Sequence, residues 1–405
     1  MIGPASGRRP PRTGPLDNGA RRYGPERCCK DRTASPRSER PRLLGSLSDF
    51  NRDQLGFYAR CAREYGDVVP VRLGPSRGLL IYHPDAIEEV LVARNRDFIK
   101  SRGIRLLRGL IGGDTMGDAL STVLETREAE RLATGFGFTE GPLWHPDGFY
   151  YFVDIRGSAL YRLTPGRAPE LARPDTGEGN GTTFDLQGRL VLCEGGNRRV
   201  TRMSADGRIE ILVDRFEGKR LNRPNDVVCR SDGSLYFTDP GLRVPLAERE
   251  LPYAGVYRIA ADGTVTLVAD FEYPNGLAFS PDERVLYVAN TRWAQYIHLL
   301  ELDASGNMVR RRIFADMSSD ETDGVRDGMK VDVDGRIYCT GPGGTWVFAP
   351  DGARLGIIRT PEIPANLAFG GPDLRTLFLT ARTSVYTLRV RVPGQPHPWY
   401  RVRRR

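Results

Sequence analysis

Six side chains of one chemical kind recur at one phase of this sequence: Glu140, Asn180, Asn225, Asn275, Asp327 and Asn366. Each stands seven residues before a turn mark: Asp147-Gly148, Gln187-Gly188, Asp232-Gly233, Asp282-Glu283, Asp334-Gly335 and Asp373-Leu374. All six are carboxylates or carboxamides, so all offer oxygen donors. Converging oxygens suit a hard cation such as Ca2+, Mg2+ or Mn2+. Two carboxylates, Glu140 and Asp327, would neutralise a divalent ion, and Asn oxygens complete a shell without adding charge. Taken singly, each reads as a loop-capping Asn or Asp. The shared phase makes them a set, although Asn180 and Asn366 could simply line a channel.

The elements that must position this set are legible in the same repeat. The turn marks are 40, 45, 50, 52 and 39 residues apart. Each is followed by a short apolar strand: FYYFVD, RLVLCE, SLYFTD, RVLYVAN, RIYCTG and RTLFLTA. Several units add a third strand (SALYRL, GVYRI, YIHLLEL, SVYTL), and some a fourth after another Asp-Gly turn (GRIEILVD, GTVTLVAD). Short strands with regular turn chemistry at this period predict four-stranded blades. Six units predict an all-β, six-bladed β-propeller over 131–392. In a closed, rotationally repeated fold, equal phase means equal distance from the axis, so the six residues are expected to ring one mouth of the central channel.

At these residues the chain resembles the senescence marker protein/gluconolactonase family of calcium-type propellers. The stretches that carry the resemblance are GFGFTEGPLW, GNGTTFDLQGRLVLCEGGNRRVTR, NRPNDVVCRSDGSLYFTDP, YPNGLAFSPDERVLYVANT, DGMKVDVDGRIYCTG and PANLAFGGPDLRTLFLTAR, spread over roughly 130–392. The resemblance implies metal-ligand roles for Glu140, Asn275 and Asp327, and a metal or substrate contact for Asn225. It implies a substrate contact for Arg223 and makes Asp327 the candidate general base; Asn180 and Asn366, read from their phase alone, are expected to line the same mouth as substrate-binding residues. The implied activity is metal-dependent hydrolysis of a small lactone or related ester, with sugar-acid lactones first. Phosphotriester hydrolysis and a non-catalytic propeller holding a structural ion are the alternatives. Ca2+ is the first expectation, with Mg2+, Mn2+ or Zn2+ behind it. Two positions depart from the family: Gly195 stands where members often carry histidine before GNRR, and the loop after FTDP reads GLRVPLAERE.

Upstream, residues 1–42 are rich in Arg, Pro, Gly and Ser with almost no aliphatic side chains, and are expected to be a disordered tail. Residues 43–113 predict a small α+β fragment: a helix in DQLGFYARCAREYG, a hairpin in DVVPVRLG and GLLIY, and a second helix in HPDAIEEVLVARNRDF. LGFYARCAREYGDVVPVRLGP, HPDAIEEVLV and RNRDFIKSRGIRLLRGLIG resemble the start of a bacterial cytochrome P-450, a haem-thiolate monooxygenase. The haem-binding cysteine loop of that family is absent downstream, so no haem is expected. The G-x-S-x-G match at Ser76 is followed by a strand rather than a helix, so it reads as a turn, not a nucleophile. Residues 114–130 read as a linker running into helix or strand, and 393–405 as a basic, solvated C-terminal tail.

Composition restricts the remaining choices. Of the net charge of +8, +7 lies in residues 1–42 and +6 in 389–405, which leaves the rest at −5. Charge placed this way argues against a specific nucleic-acid surface. No apolar run is long enough to span a membrane. The six cysteines form no C-x-x-C pair and there are four histidines, so neither a structural zinc site nor a multi-histidine centre is expected. The reading is a cytoplasmic enzyme acting on a small-molecule lactone or ester, its oligomeric state left open.

Overall fold

A computed structural model describes residues 54–65, 68–73, 76–82 and 116–403, apart from 242, 293–294 and 320–323. The tail at 1–42, the second helix expected near 83–98 and most of the monooxygenase-like motifs lie outside the described residues. The chain divides into two units, 1–99 and 100–405. In the first, the helix Gln54–Tyr65 precedes an antiparallel pair, Val68–Leu73 with Ser76–Ile81. Phe57, Cys61 and Val69 form its small core. Ser76 opens the second strand directly opposite Leu73, as a turn residue does.

The second unit is a six-bladed propeller of four-stranded antiparallel sheets. From the axis outward, blade 1 runs Thr139–His145, Phe149–Asp154, Ala159–Leu163 and Glu170–Arg173. Blades 2 to 5 begin at the innermost strands Gly179–Phe184, Val227–Cys229, Pro274–Phe279 and Met329–Val331. Blade 6 closes the ring. Its strands Asn366–Gly370, Thr376–Ala381 and Ser384–Arg389 come from the end of the chain, and its outermost strand, Glu130–Thr134, precedes blade 1. Antiparallel pairing of Ser384–Arg389 with Glu130–Thr134 joins the two ends of the repeat and removes an open sheet edge.

The period-2 alternation of the strands explains the packing. In SLYFTD, Leu235 and Phe237 face the core shared with blade 2, while Tyr236 faces the core shared with blade 4. Every blade is apolar on both faces, and the apolar core divides into six wedges, one between each pair of neighbouring blades. Trp346 lies in the wedge between blades 4 and 5 and Trp144 in the wedge between blades 6 and 1. The turns follow from Asp chemistry. Asp332 Oδ1 accepts from the Asp334 and Arg336 amides, and Asp185 Oδ1 from those of Gln187 and Arg189. DVDG is thus a blade turn.

Two stretches outside the blades pack against them. Within 114–130 the helix Met116–Ser121 packs on the outermost strand of blade 5, and Val123 is fully buried, so apolar burial fixes a segment that reads as a linker. The basic stretch 393–405, expected to be solvated, is docked as far as Arg403. Gly394 bridges Asp332, and the Gln395 amide donates to the Val331 carbonyl at 2.9 Å. Trp399 packs at a tilt against Phe184 with ring centroids 4.7 Å apart, and the Tyr400 hydroxyl donates to the Trp144 carbonyl. The helix Pro398–Arg403 holds the end in place. The aromatic residues between the arginines make this segment bury rather than float.

Candidate active site

The six in-phase residues stand at the start of the six innermost strands, hence at one mouth of the channel. Glu140, Asn180, Asn275 and Asn366 lie within the first residues of theirs, and Asn225 and Asp327 two residues before theirs. Backbone hydrogen bonds between neighbouring blades hold this mouth together. Gly181 N–H donates to Asn225 O at 2.7 Å, Gly276 to Asp327 O at 3.1 Å, and Gly328 to Ala365 O at 2.8 Å. Glycine is required at such close approaches. A Cβ on Gly276 would lie 2.1 Å from the Asp327 carbonyl oxygen, and one on Gly328 1.9 Å from Asn366 Oδ1. β-Bulges fall at the same places in blades 1, 2 and 4, and they turn the ring side chains toward the axis.

Glu140 is buried. Its Oε2 accepts from the Gly141 amide at 2.6 Å and from Asn366 Nδ2 at 2.9 Å. Burial, then the carboxylates of Asp327 and Asp226, raise its pKa well above the usual carboxylate range. Asp327 is pushed up by burial first and Asp226 second, while a hydrogen bond from Asn275 opposes the shift. Asn275 is buried. Its Nδ2 donates to Thr291 Oγ1 at 3.0 Å, while its Oδ1 is buried without a hydrogen-bond partner. Asn225 and Asn180 are half-buried at the same mouth.

Both ends of the Asn366 amide are engaged. Its oxygen accepts the Leu367 amide at 2.8 Å, and its nitrogen faces Glu140. The end toward Glu140 is therefore a donor that steadies a carboxylate, not an oxygen aimed at a ligand. Arg223 lies at the rim, ion-paired with Glu178, its own amide held by Asp239 Oδ1 at 2.5 Å. Gly195 makes room for it: a Cβ there would lie 3.1 Å from Arg223 Cγ.

Sequence reasoning missed Asp226. It is buried, and its Oδ2 has no hydrogen-bond partner. Burial raises its pKa, and Lys330 pulls it back. The signal was present: four other blades carry glycine immediately after the ring residue (Gly141, Gly181, Gly276, Gly328), and blade 3 carries Asp226 there.

The donor set fits a hard cation. Among the described residues no three Asp, Glu, His or Cys side chains converge as a ready-made metal cluster. What converges is a mixed set, the Glu140 and Asp327 carboxylates with the unpaired Asn275 Oδ1. A buried carbonyl oxygen without a hydrogen-bond partner, beside carboxylates raised by burial and then by neighbouring carboxylates, is a donor set suited to a positive charge.

Residues 138–383 match the SMP-30/Gluconolactonase/LRE-like region. The chain belongs to this family. A gluconolactonase of Zymomonas mobilis is 31% identical over 291 residues, covering 65% of this chain and 82% of that protein. A pentonolactonase of Haloferax volcanii is 34% identical over 252 residues, covering 60% and 80%. A gluconolactonase structure from Xanthomonas campestris superposes with a TM-score of 0.62 at 34% identity, covering 67% of this chain and 92% of that one. Membership in the SMP-30/gluconolactonase/LRE-like family places the matched segment on the propeller alone. Among the described residues no helix is long and apolar enough to cross a membrane.

Proposed function

We propose that this family member hydrolyses sugar-acid lactones at the mouth ringed by Glu140, Asn225, Asn275 and Asp327. The observation that carries the reading is the orphaned Asn275 Oδ1 beside two carboxylates raised by burial and then by neighbouring charge, in a chain whose relatives include a gluconolactonase and a pentonolactonase. Glu140, Asn225, Asn275 and Asp327 would hold a divalent cation. Their all-oxygen donors favour Ca2+, ahead of Mg2+ and Mn2+, over Zn2+, which prefers nitrogen and sulfur. When bound, such an ion supplies Lewis-acid polarisation of the lactone carbonyl.

The chain's own residues do the rest. Water adds to the carbonyl carbon and the ring C–O bond breaks. Asp327 takes the water proton on its carboxylate and returns it to the departing alkoxide oxygen, which leaves the open hydroxy acid. Asn366 keeps Glu140 from rotating, and the backbone ring through Gly276 and Gly328 fixes the geometry before substrate arrives. Arg223, paired with Glu178, offers donors to substrate hydroxyls at the rim, beside the Asn225 and Asn180 amides. Four unpaired, buried cysteines among the described residues agree with a reducing, cytoplasmic compartment.

Acid release from gluconolactone tests the reading. The intact protein with Ca2+ should accelerate it, and Asp327→Asn should lower kcat/KM by about 10^3, or roughly 4 kcal/mol. Failure of the intact, Ca2+-supplied protein on aldonolactones would sink the proposal. We further read residues 43–113 as a monooxygenase-like fragment without a part in this chemistry. The helix and hairpin between Gln54 and Ile81 support its fold, and the family match beginning at 138 supports its dispensability.

A further inference from the structure

Resting on that reading of the ring, we infer that Thr291 is the positioning residue that makes Asn275 an oxygen donor. An asparagine carries a carbonyl oxygen and an NH2 group at nearly equal reach, and a cation tolerates only the first. Something must therefore decide which end faces the axis. Thr291 follows the second strand of blade 4, Val285–Asn290, and its amide donates to the Tyr273 carbonyl at 2.9 Å. Its hydroxyl proton is committed, because Oγ1 donates to the Arg326 carbonyl at 2.8 Å. Only a lone pair is left to face Asn275, and Asn275 Nδ2 donates to it at 3.0 Å.

Flipping the amide would set Oδ1 against the Thr291 oxygen, acceptor to acceptor. The hydroxyl could meet it only by abandoning the Arg326 carbonyl, next to a buried side chain. A hydrogen bond from Asn275 also reaches the Asp327 carboxylate, but that partner belongs to the ring itself and would be shared with a bound cation. Thr291 does not take part in the ring and keeps its grip in either state. Its acceptor fixes Asn275 Oδ1 toward the axis, where it has no other partner. Because Arg326 precedes Asp327, the same hydroxyl also ties blade 4's ring residue to the backbone that carries blade 5's.

Calorimetric Ca2+ titration of the full chain tests this without reference to turnover. Thr291→Val keeps the shape and removes the acceptor, and should weaken Ca2+ binding about 10- to 100-fold. Thr291→Ser restores the hydroxyl and should bind within about threefold of the parent. If Thr291→Val does not fold, Thr291→Ala replaces it in the same comparison. A Val or Ala variant that melts lower without Ca2+ yet binds it with the parent's affinity has lost only packing, and overturns the inference. So does a Ser variant as weak as Val. If the parent binds no Ca2+, the cation reading of the ring fails first, and the inference falls with it.

Discussion

At the scale of single residues, the mouth of the channel is defined by carboxylates that repel one another. Glu140 and Asp327 are both raised, chiefly by burial and then by neighbouring carboxylates. A carboxyl raised in the folded state contributes stability below its unfolded pKa, and that contribution disappears as pH rises through the raised value. The cation-free protein therefore loses stability from this cluster as pH climbs toward neutrality. A cation that replaces the protons reverses the trend. Protons and cation compete, so Ca2+ affinity should fall by about tenfold or more between pH 7.5 and 5.5. Titration calorimetry at the two pH values checks this, and equal affinities would contradict it. Glu140 and Asp327 were legible from their phase. Asp226 was not, because the residue after each ring position attracts notice only once glycine is seen to be a packing requirement there.

At the scale of elements, the innermost strands are held by contacts between main chains, not by side chains alone. Gly276 is the clearest case, since an added Cβ would meet a carbonyl oxygen that cannot rotate away. Gly276→Ala should cost about 1–3 kcal/mol by overpacking. At 2–4 °C per kcal/mol for a domain of this size, the melting temperature should drop by roughly 2–12 °C. It should also shift Asp327 and weaken lactone hydrolysis together with stability. An unchanged melting temperature would mean that the two strands can part at no cost. The repeat and its turn marks made the blades readable in sequence. The inter-blade hydrogen bonds at Gly181, Gly276 and Gly328 link residues about 40 to 50 positions apart, and no local pattern announces them.

Across the whole molecule, the two mouths of the channel are treated differently. One carries the oxygen ring. The other, where the innermost strands end, is covered by the C-terminal segment, with His397 half-buried and its Nε2 3.1 Å from Thr183 Oγ1. Trp399 N–H donates to His397 Nδ1 at 3.1 Å, so the proton of the neutral ring sits on Nε2. Burial lowers the His397 pKa to about 3, and Lys330 adds to the shift. A depressed histidine contributes stability that is fully present above its unfolded value, near 6.5, and is lost as pH falls toward 3. Chemical denaturation across that window should show a steeper acid loss for the parent than for His397→Gln. Parallel curves would remove His397 from the cause. Ring closure makes a second demand. A chain starting at residue 115 keeps the strand Glu130–Thr134 and should fold and retain activity. One starting at 136 leaves blade 6 with an open edge and should aggregate or melt well below it, as size-exclusion chromatography and thermal melting would show.

The sequence by itself determined the number of blades, their strands and the six polar positions, because each depends on short-range periodicity and turn chemistry that repeat along the chain. It also determined that the ends are basic and the body acidic. Tertiary structure alone decided which end of each amide faces the axis, because Asn275 and Asn366 present opposite atoms according to partners such as Thr291 and Glu140. It decided that residues 391–403 pack, because the value of Trp399 and Tyr400 depends on a surface formed by blade 1 and blade 2. And it decided that Asp226 shares the field of Glu140 and Asp327, since charge interaction depends on distance in space, which closure of the ring sets.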